Sequence, residues 1–260
     1  MYGAIIGDIC GSIYELNNFK TDNPADIPLL DPRCCFTDDT VLTCAVMDAL
    51  LAERDYKRAI YAWANKYPDR GYGGTFNSWF RSRSPQPYNS WGNGSAMRVS
   101  PIGWAFDTIE ETLAEAKCSA EITHNHSEGI KGAQAAAAAI FLARKRESKE
   151  TIRSYITKTF GYNLDRTLKS IRPIYEFDES CQGTVPEAII AFLESNDFTG
   201  AIQNAISLGG DSDTLACISG SIAEAYYWEI PDELSQFANK KLTTEIVELL
   251  NRFYEKIRGL

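Results

Sequence analysis

The stretch Phe36-Thr37-Asp38-Asp39-Thr40-Val41-Leu42-Thr43-Cys44-Ala45-Val46-Met47-Asp48-Ala49-Leu50 sets the fold class. Val41, Leu42, Ala45, Val46, Ala49 and Leu50 recur at three- and four-residue intervals, the period of a helix with one buried face. Ile218, Ile222 and Ala225 repeat the pattern near the other end of the chain. Further helices are expected at about 55–67, 108–120, 126–146, 184–195, 198–207 and 239–256, with glycine or proline in several of the gaps. Alternating strand patterns are scarce, so the chain reads as all-α. The segment Asp69 to Pro101 mixes glycine, proline and aromatic residues without a period, which marks a loop-rich stretch suited to function. No long repeat, low-complexity tract or composition shift divides the chain, and residues 1–260 read as one compact multi-helix domain.

The start of the quoted stretch has a counterpart. Thr37-Asp38-Asp39-Thr40-Val41 resembles Asp211-Ser212-Asp213-Thr214-Leu215, and each opens an expected helix. Either segment alone is explained by N-capping, in which a side-chain oxygen accepts from free N–H groups at the positive end of the helix dipole. A cap needs one acceptor, whereas each segment crowds two carboxylates and a hydroxyl into one turn. A divalent cation, or a pair, would relieve the repulsion. The ligands are all oxygen, which suits magnesium or manganese rather than zinc.

Three other segments carry polar groups in suggestive patterns. Gly7-Asp8-Ile9-Cys10-Gly11-Ser12-Ile13-Tyr14-Glu15 adds two acids to a glycine-containing helix whose glycines permit close packing. Asp8 reads as a buried, hydrogen-bonded helix residue, while Glu15 at the far end is free to reach into a site. Ser90-Trp91-Gly92-Asn93-Gly94-Ser95-Ala96-Met97-Arg98 is a glycine-bounded turn into a helix; it either cradles a phosphate with its N–H groups or serves only packing. Trp91 either stacks on a base or fills the core. Both histidines, His124 and His126, lie just before an alanine-rich helix. Two residues apart, they do not face one ligand; one either bonds a diphosphate or ribose, or caps and packs locally.

Whole-chain properties narrow the function classes. With 260 residues, 44% of them hydrophobic, the chain can bury a substantial core. A formal net charge of −9 argues against a nucleic-acid-binding footprint, so nucleic acid enters only as a modified acceptor. Seven cysteines show neither zinc-type pairing nor the even count of a secreted disulfide framework, which points to the reducing cytoplasm. No signal peptide is evident, and the longest apolar run, Ala135 to Ala143, is well short of the ~20 residues that cross a bilayer.

Taken together, these motifs resemble the ADP-ribosylglycohydrolase family, which includes the glycohydrolase that activates dinitrogenase reductase. The resemblance runs from Gly7-Asp8 through Phe36-Thr37-Asp38-Asp39-Thr40, Arg70-Gly71-Tyr72-Gly73, Gly92-Asn93-Gly94-Ser95-Ala96-Met97-Arg98 and Thr123-His124 to Gly209-Gly210-Asp211-Ser212-Asp213-Thr214. It implies the family's all-α fold and a metal-dependent hydrolase that cleaves ADP-ribose from a modified protein or small molecule, releasing ADP-ribose. Two divalent cations, Mg2+ or Mn2+, are implied at Thr37, Asp38, Asp39, Asp211, Asp213 and Thr214. Contacts to ADP-ribose are implied at Gly71, Gly73, Ser90, Trp91, Gly92, Asn93, Gly94 and His124. Glu15 is implied on a flap facing the scissile bond and is the choice for proton transfer, with Asp39 as the alternative.

Two departures bear on substrate choice. Trp228 stands after Tyr226-Tyr227 where many relatives carry glycine, and is expected to reshape a surface near the site. Asp69 falls near an acid that acts on the ribose in some relatives, but without a secure alignment it stays outside the catalytic set. Rival readings are a two-metal phosphoesterase and an ADP-ribose-binding relative that has lost turnover. The acceptor is not legible in the sequence.

Overall fold

The computed structural model describes residues 1–258. Helices follow one another from the first residues: α1 (Tyr2–Gly11), α2 (Asp38–Leu51), α3 (Tyr56–Lys66), α4 (Gly74–Phe80), α5 (Gly94–Met97), α6 (Ser100–Ala105), α7 (Ile109–Glu121) and α8 (Ser127–Arg144). The second half adds α9 (Lys149–Phe160), α10 (Leu168–Ile171), α11 (Cys181–Leu193), α12 (Phe198–Ile206), α13 (Ser212–Tyr227), α14 (Asp232–Lys241) and α15 (Thr244–Arg258). Among the described residues there is no strand, only an isolated antiparallel bridge between Gly92 and Ser180. The fold is all-α, as the apolar periodicity predicts. No helix among the described residues is long and apolar enough to cross a membrane.

Helix α13 is the axis of the molecule, buried from Ser212 to Ala225 and packed by α1, α8, α11 and α12. Contact with α1 is made backbone to backbone. A β-carbon on Gly7 would lie 2.1 Å from the Ala216 carbonyl oxygen, and one on Gly3 would lie 2.3 Å from that of Gly220. Glycine at every fourth position of α1 (Gly3, Gly7, Gly11) therefore forms a groove that a side chain would close. Because α1 lies this close to α13, its C-terminal end delivers Asp8 and Glu15 to the start of α13. On the other flank α8 buries Ala135 to Ala139 completely, their small side chains letting α11 and α13 approach.

Several helix limits differ from the sequence expectation, each for a local reason. The segment expected as one helix over 239–256 is two: α14 ends at Lys241, Leu242 is extended, and the Thr243 hydroxyl accepts the Ile246 N–H to open α15. Instead of starting at residue 184, α11 begins at Cys181, capped by the Ser180 side chain on the Gly183 N–H. Pro186 sits inside it, and Gln182, whose carbonyl loses its helical partner, is exposed. The loop-rich stretch from Asp69 to Pro101 also contains α4 and α5. Helix α9 has only two buried residues, Ile152 and Ile156, too few to give an apolar period.

Candidate active site

Two helix starts and two loops meet around a cavity of about 440 Å³. The first helix start is organised by Asp8, fully buried on α1. Its carboxylate accepts the Thr37 N–H at 3.0 Å, the Thr37 hydroxyl at 2.7 Å, the Thr40 N–H at 3.1 Å and the Thr40 hydroxyl. Asp8 is thus the buried, hydrogen-bonded residue the sequence suggests, with the added task of fixing the first turn of α2. Thr37 is also the N-cap, its oxygen accepting from the Asp39 N–H at 3.3 Å. The Asp38 N–H is taken by the Arg70 carbonyl at 2.7 Å. With the backbone thus satisfied, the Asp38 and Asp39 side chains are free to face the cavity. Gly71 follows with φ +90°, a conformation few side chains adopt, and a β-carbon there would lie 3.6 Å from Asp38 Oδ1.

The second helix start is set by Gly209 and Gly210, both left-handed at φ +76° and +64°. The Gly210 N–H donates to Asn18 Oδ1 at 2.9 Å, which ties this turn to the segment carrying Glu15. Asp211 opens α13 without any side-chain cap bond and instead accepts Asn93 Nδ2 at 2.6 Å. Thr214 bridges the two helix starts by donating to Asp39 Oδ1 at 3.3 Å. One oxygen each of Glu15, Asp211 and Asp213 lie within 4.8 Å of one another, a grouping suited to a cation. Asp38 and Asp39 are not in that group, although both line the same cavity. By its motif Glu15 belongs to catalysis alone; its closeness to Asp211 and Asp213 adds it to the candidate ligands.

Charge crowding at the two helix starts goes beyond what capping needs. A capping oxygen contributes about 1 kcal/mol, whereas two ionised carboxylates at this separation repel by on the order of 4 kcal/mol at an effective dielectric of ~20. The carboxyls of Asp38, Asp39 and Asp213 are accordingly pushed well above their ordinary range, first by burial and then by neighbouring carboxylates. Glu15 is pushed up to about 7, mainly by burial and then by Asp211 and Asp8. Asp39 Oδ2 is buried with no hydrogen-bond partner among the described residues. An all-oxygen donor set with an unused buried lone pair fits a hard divalent cation.

These shifts make stability depend on pH. An acid whose folded-state pKa is raised binds more protons folded than unfolded, so its contribution is present below the ordinary value near 4 and is lost as pH rises through the folded value. Metal-free protein is therefore expected to melt at a higher temperature at pH 5 than at pH 8, with Glu15 giving part of the loss between about 4.5 and 7. Adding Mg2+ or Mn2+ at about 100 times its dissociation constant should restore ~2.7 kcal/mol at pH 8. Thermal denaturation at both pH values, with and without chelator, checks this; a melting temperature indifferent to both pH and cation would contradict it.

The glycine loop also lines the cavity. Ser90, Trp91, Gly92, Asn93, Gly94 and His124 all line the cavity, as do Gly71 and Gly73. Trp91 is 49% exposed, so it stands at the rim and does not fill the core. Part of the loop is already committed. The Gly92 N–H donates to Ser90 Oγ and the Asn93 N–H to the Glu179 carbonyl, while the Asn93 side chain holds Asp211 and Thr184. Asn93 therefore joins the loop to α13 through its side-chain amide while also lining the cavity. The N–H groups of Gly94 and Ser95 have no acceptor among the described residues. The histidines divide as their spacing suggests. His126 caps α8 by accepting the Glu128 N–H at 3.1 Å, and buried His124 lines the cavity.

Phe76, Tyr88, Phe177 and Glu179 also line the cavity. No sequence signal singles out Phe177 or Glu179, which lie in an aperiodic stretch and arrive through the loop before α11. Trp228 requires a correction. It is the C-cap of α13, about 24 Å from the acidic end along a 16-residue helix, and does not line the cavity. Its backbone is left-handed at φ +61°, which explains why glycine is at home there, and its ring is held against Trp104 at 5.5 Å with Arg146 above it at 4.5 Å. Asp69 is exposed and does not line the cavity either.

The chain is 28% identical to ADP-ribosylhydrolase ARH3 of Bos taurus over 336 aligned positions, covering 98% of this chain and 92% of the relative. The same identity and coverage hold for ADP-ribosylhydrolase ARH3 of Homo sapiens. It is 23% identical to ADP-ribosylarginine hydrolase Tri1 of Pseudomonas putida (strain GB-1), over 87% of this chain and 69% of that one. In fold it superposes on a chain of a solved structure titled ADP-ribosylglycohydrolase-related protein complex with a TM-score of 0.66, at 23% identity, covering 91% of this chain and 93% of the other. The ADP-ribosylglycohydrolase family model matches residues 1–259, and the chain belongs to that family.

Proposed function

We propose that the protein hydrolyses the glycosidic bond between ADP-ribose and an N- or O-linked acceptor on a protein or small molecule, releasing ADP-ribose. The observation that carries this reading is that an acidic double helix start and a glycine loop line one cavity, with Glu15 beside the acids. Its volume is in the range of small-molecule sites. A diphosphate at the Gly94 and Ser95 N–H groups would set the distal ribose over the carboxylates. Two cations, Mg2+ or Mn2+, are the proposed occupants of Thr37, Asp38, Asp39, Asp211, Asp213 and Thr214, with Glu15 in reach. Bound there, they would supply Lewis acidity and lower the pKa of a water. Glu15 is the proposed proton donor to the leaving group; in the metal-free protein burial, and then Asp211 and Asp8, raise its carboxyl to about 7. The anionic carboxylates favour positive charge developing at the anomeric carbon.

A hydrolysis panel tests the reading, presenting ADP-ribose on arginine, serine and other acceptors with and without chelator. Intact ADP-ribose should appear only with a divalent cation. AMP as product would instead mean attack on phosphorus, and binding without turnover on every acceptor would mean a non-hydrolytic relative. Full turnover by protein shown to be metal-free would sink the metal-dependent mechanism.

The loop carries its own prediction. Gly94 has no need of a left-handed backbone; it needs the absence of a side chain, because a β-carbon there would lie 3.1 Å from His124 Nε2. Gly94→Val should push His124 aside and weaken ADP-ribose binding by about tenfold or more, since one charge-assisted hydrogen bond is worth ~1.5–3 kcal/mol. Unchanged affinity in a folded variant, measured by calorimetry, would show that the ligand does not use this loop.

A further inference from the structure

At the end of the glycine loop, among the residues that line the cavity, lies a buried guanidinium with no carboxylate partner among the described residues. Arg98, at the end of α5, is completely buried, and its Nη2 donates to the Ser119 carbonyl at 2.7 Å and to Thr123 Oγ1 at 3.0 Å. Its Nε and Nη1 have no partner among the described residues. Thr123 is fully buried and its hydroxyl oxygen stands 2.7 Å from Nδ1 of His124. Its carbonyl also accepts the Tyr88 N–H at 3.3 Å and the Ser90 N–H at 3.5 Å, so one residue positions both the histidine and the start of the loop.

The order of donors along this chain fixes the histidine's proton. Arginine can only donate, so Thr123 Oγ1 must accept from it. The threonine proton then has one acceptor within reach, His124 Nδ1. If Nδ1 donated instead, the buried hydroxyl proton would be left without any acceptor, which costs more than the bond is worth. With Nδ1 as acceptor, a neutral imidazole carries its proton on Nε2. That nitrogen would be 3.1 Å from a β-carbon on Gly94 and 3.6 Å from one on Gly92, so it lies against the two glycines of the cavity wall.

We propose that Arg98 is a positioning residue that, through the Thr123 hydroxyl, holds His124 as a neutral Nε2–H donor for an anionic oxygen of the ligand's diphosphate. The imidazole stays neutral because burial, and then the Arg98 charge, keeps its pKa well below the ordinary histidine value. The relay thus gives the loop a directed donor, and the guanidinium, which has no carboxylate partner among the described residues, favours an anion in the cavity it helps to line. Naming the diphosphate rests on the ADP-ribose reading above; the tautomer does not.

The two halves are tested separately on the full chain. Nitrogen-15 NMR of the free protein reads the tautomer, and because the chain has two histidines, His126→Asn, which keeps an N-cap acceptor, assigns the signals. His124 should show a protonated Nε2 and an unprotonated Nδ1. Calorimetry with ADP-ribose then compares wild type, Thr123→Ser and Thr123→Val. The serine variant should keep both spectrum and affinity. The valine variant, of similar volume but without the hydroxyl, should show a mixed or reversed tautomer and about tenfold weaker binding, the loss of ~1.4 kcal/mol. Arg98→Met, where it folds by circular dichroism, should show the same pair of changes. A protonated Nδ1 in the wild type overturns the proposal, as does a Thr123→Val protein that loses affinity with an unchanged His124 spectrum, or a folded Arg98→Met protein that matches wild type in both. A wild type with the expected tautomer but no affinity for ADP-ribose overturns the ligand assignment and leaves the relay standing.

Discussion

Glu15→Gln is expected to lower the single-turnover rate of ADP-ribose release by about 10²–10⁴-fold, the usual contribution of a positioned proton donor. Glutamine keeps the size and the hydrogen-bonding shape but cannot give up a proton in the same way. In a half-buried position beside Asp211 and Asp213, the carboxyl is raised to about 7 in the metal-free protein. Metal content and ADP-ribose affinity should be measured on the same sample, because they separate two roles for one residue. Retention of both with a slow chemical step means proton transfer. Loss of cations together with rate means that Glu15 is itself a ligand, and a parallel Asp211→Asn protein gives the reference for that behaviour. A rate equal to wild type would remove Glu15 from the mechanism.

Gly7→Ala should be the most damaging single methyl group in the molecule. The added carbon would meet the Ala216 carbonyl oxygen at 2.1 Å and its carbon at 2.4 Å. Both are backbone atoms of a helix buried on all sides, so no side chain can swing away. Overpacking of this kind costs typically up to about 3 kcal/mol, occasionally more, which for a chain of this size lowers the melting temperature by roughly 6–12 °C. Turnover should fall too, because α1 and α13 together hold Asp8, Asp211 and Asp213. Gly74→Ala serves as the comparison: nothing lies within 4 Å of the new carbon, so its stability should stay within about 0.5 kcal/mol of wild type. Equal melting temperatures for the two variants would refute the close helix contact.

How much of the fold and site is legible in the residues depends on which physical signal each element leaves. Helices α2 and α13 announce themselves through apolar spacing, and the doubled acids at their starts exceed what capping needs, so both halves of the acidic cluster can be read from the amino-acid order alone. Gly7 and Gly11 suggest close packing, but nothing local says that the partner is 200 residues away in α13. Weakly buried α9 and the split between α14 and α15 leave little periodic trace. Within the site, sequence supplies the loop but not its wiring: Asn93 reaches Asp211 across 118 positions, and Arg98 reaches Thr123 only because α7 folds back beside α5. Phe177 and Glu179 come to the cavity by loop placement alone.

The glycine contact between α1 and α13 also governs the order of events during synthesis. Asp8 and the first turn of α2 leave the ribosome before Asp211 and Asp213, which follow only after α3 to α12. Until α13 arrives, the groove of Gly3, Gly7 and Gly11 has no occupant, and the buried faces of α8, α11 and α12 lack their common neighbour. Contacts this distant in sequence are slow to form, so a nascent chain halted before Ser212 should remain open to protease and hold no cation at Asp38 and Asp39. The acidic cluster is therefore assembled only when α13 joins α1 and α2, with α14 and α15 still to pack against α1 and α2.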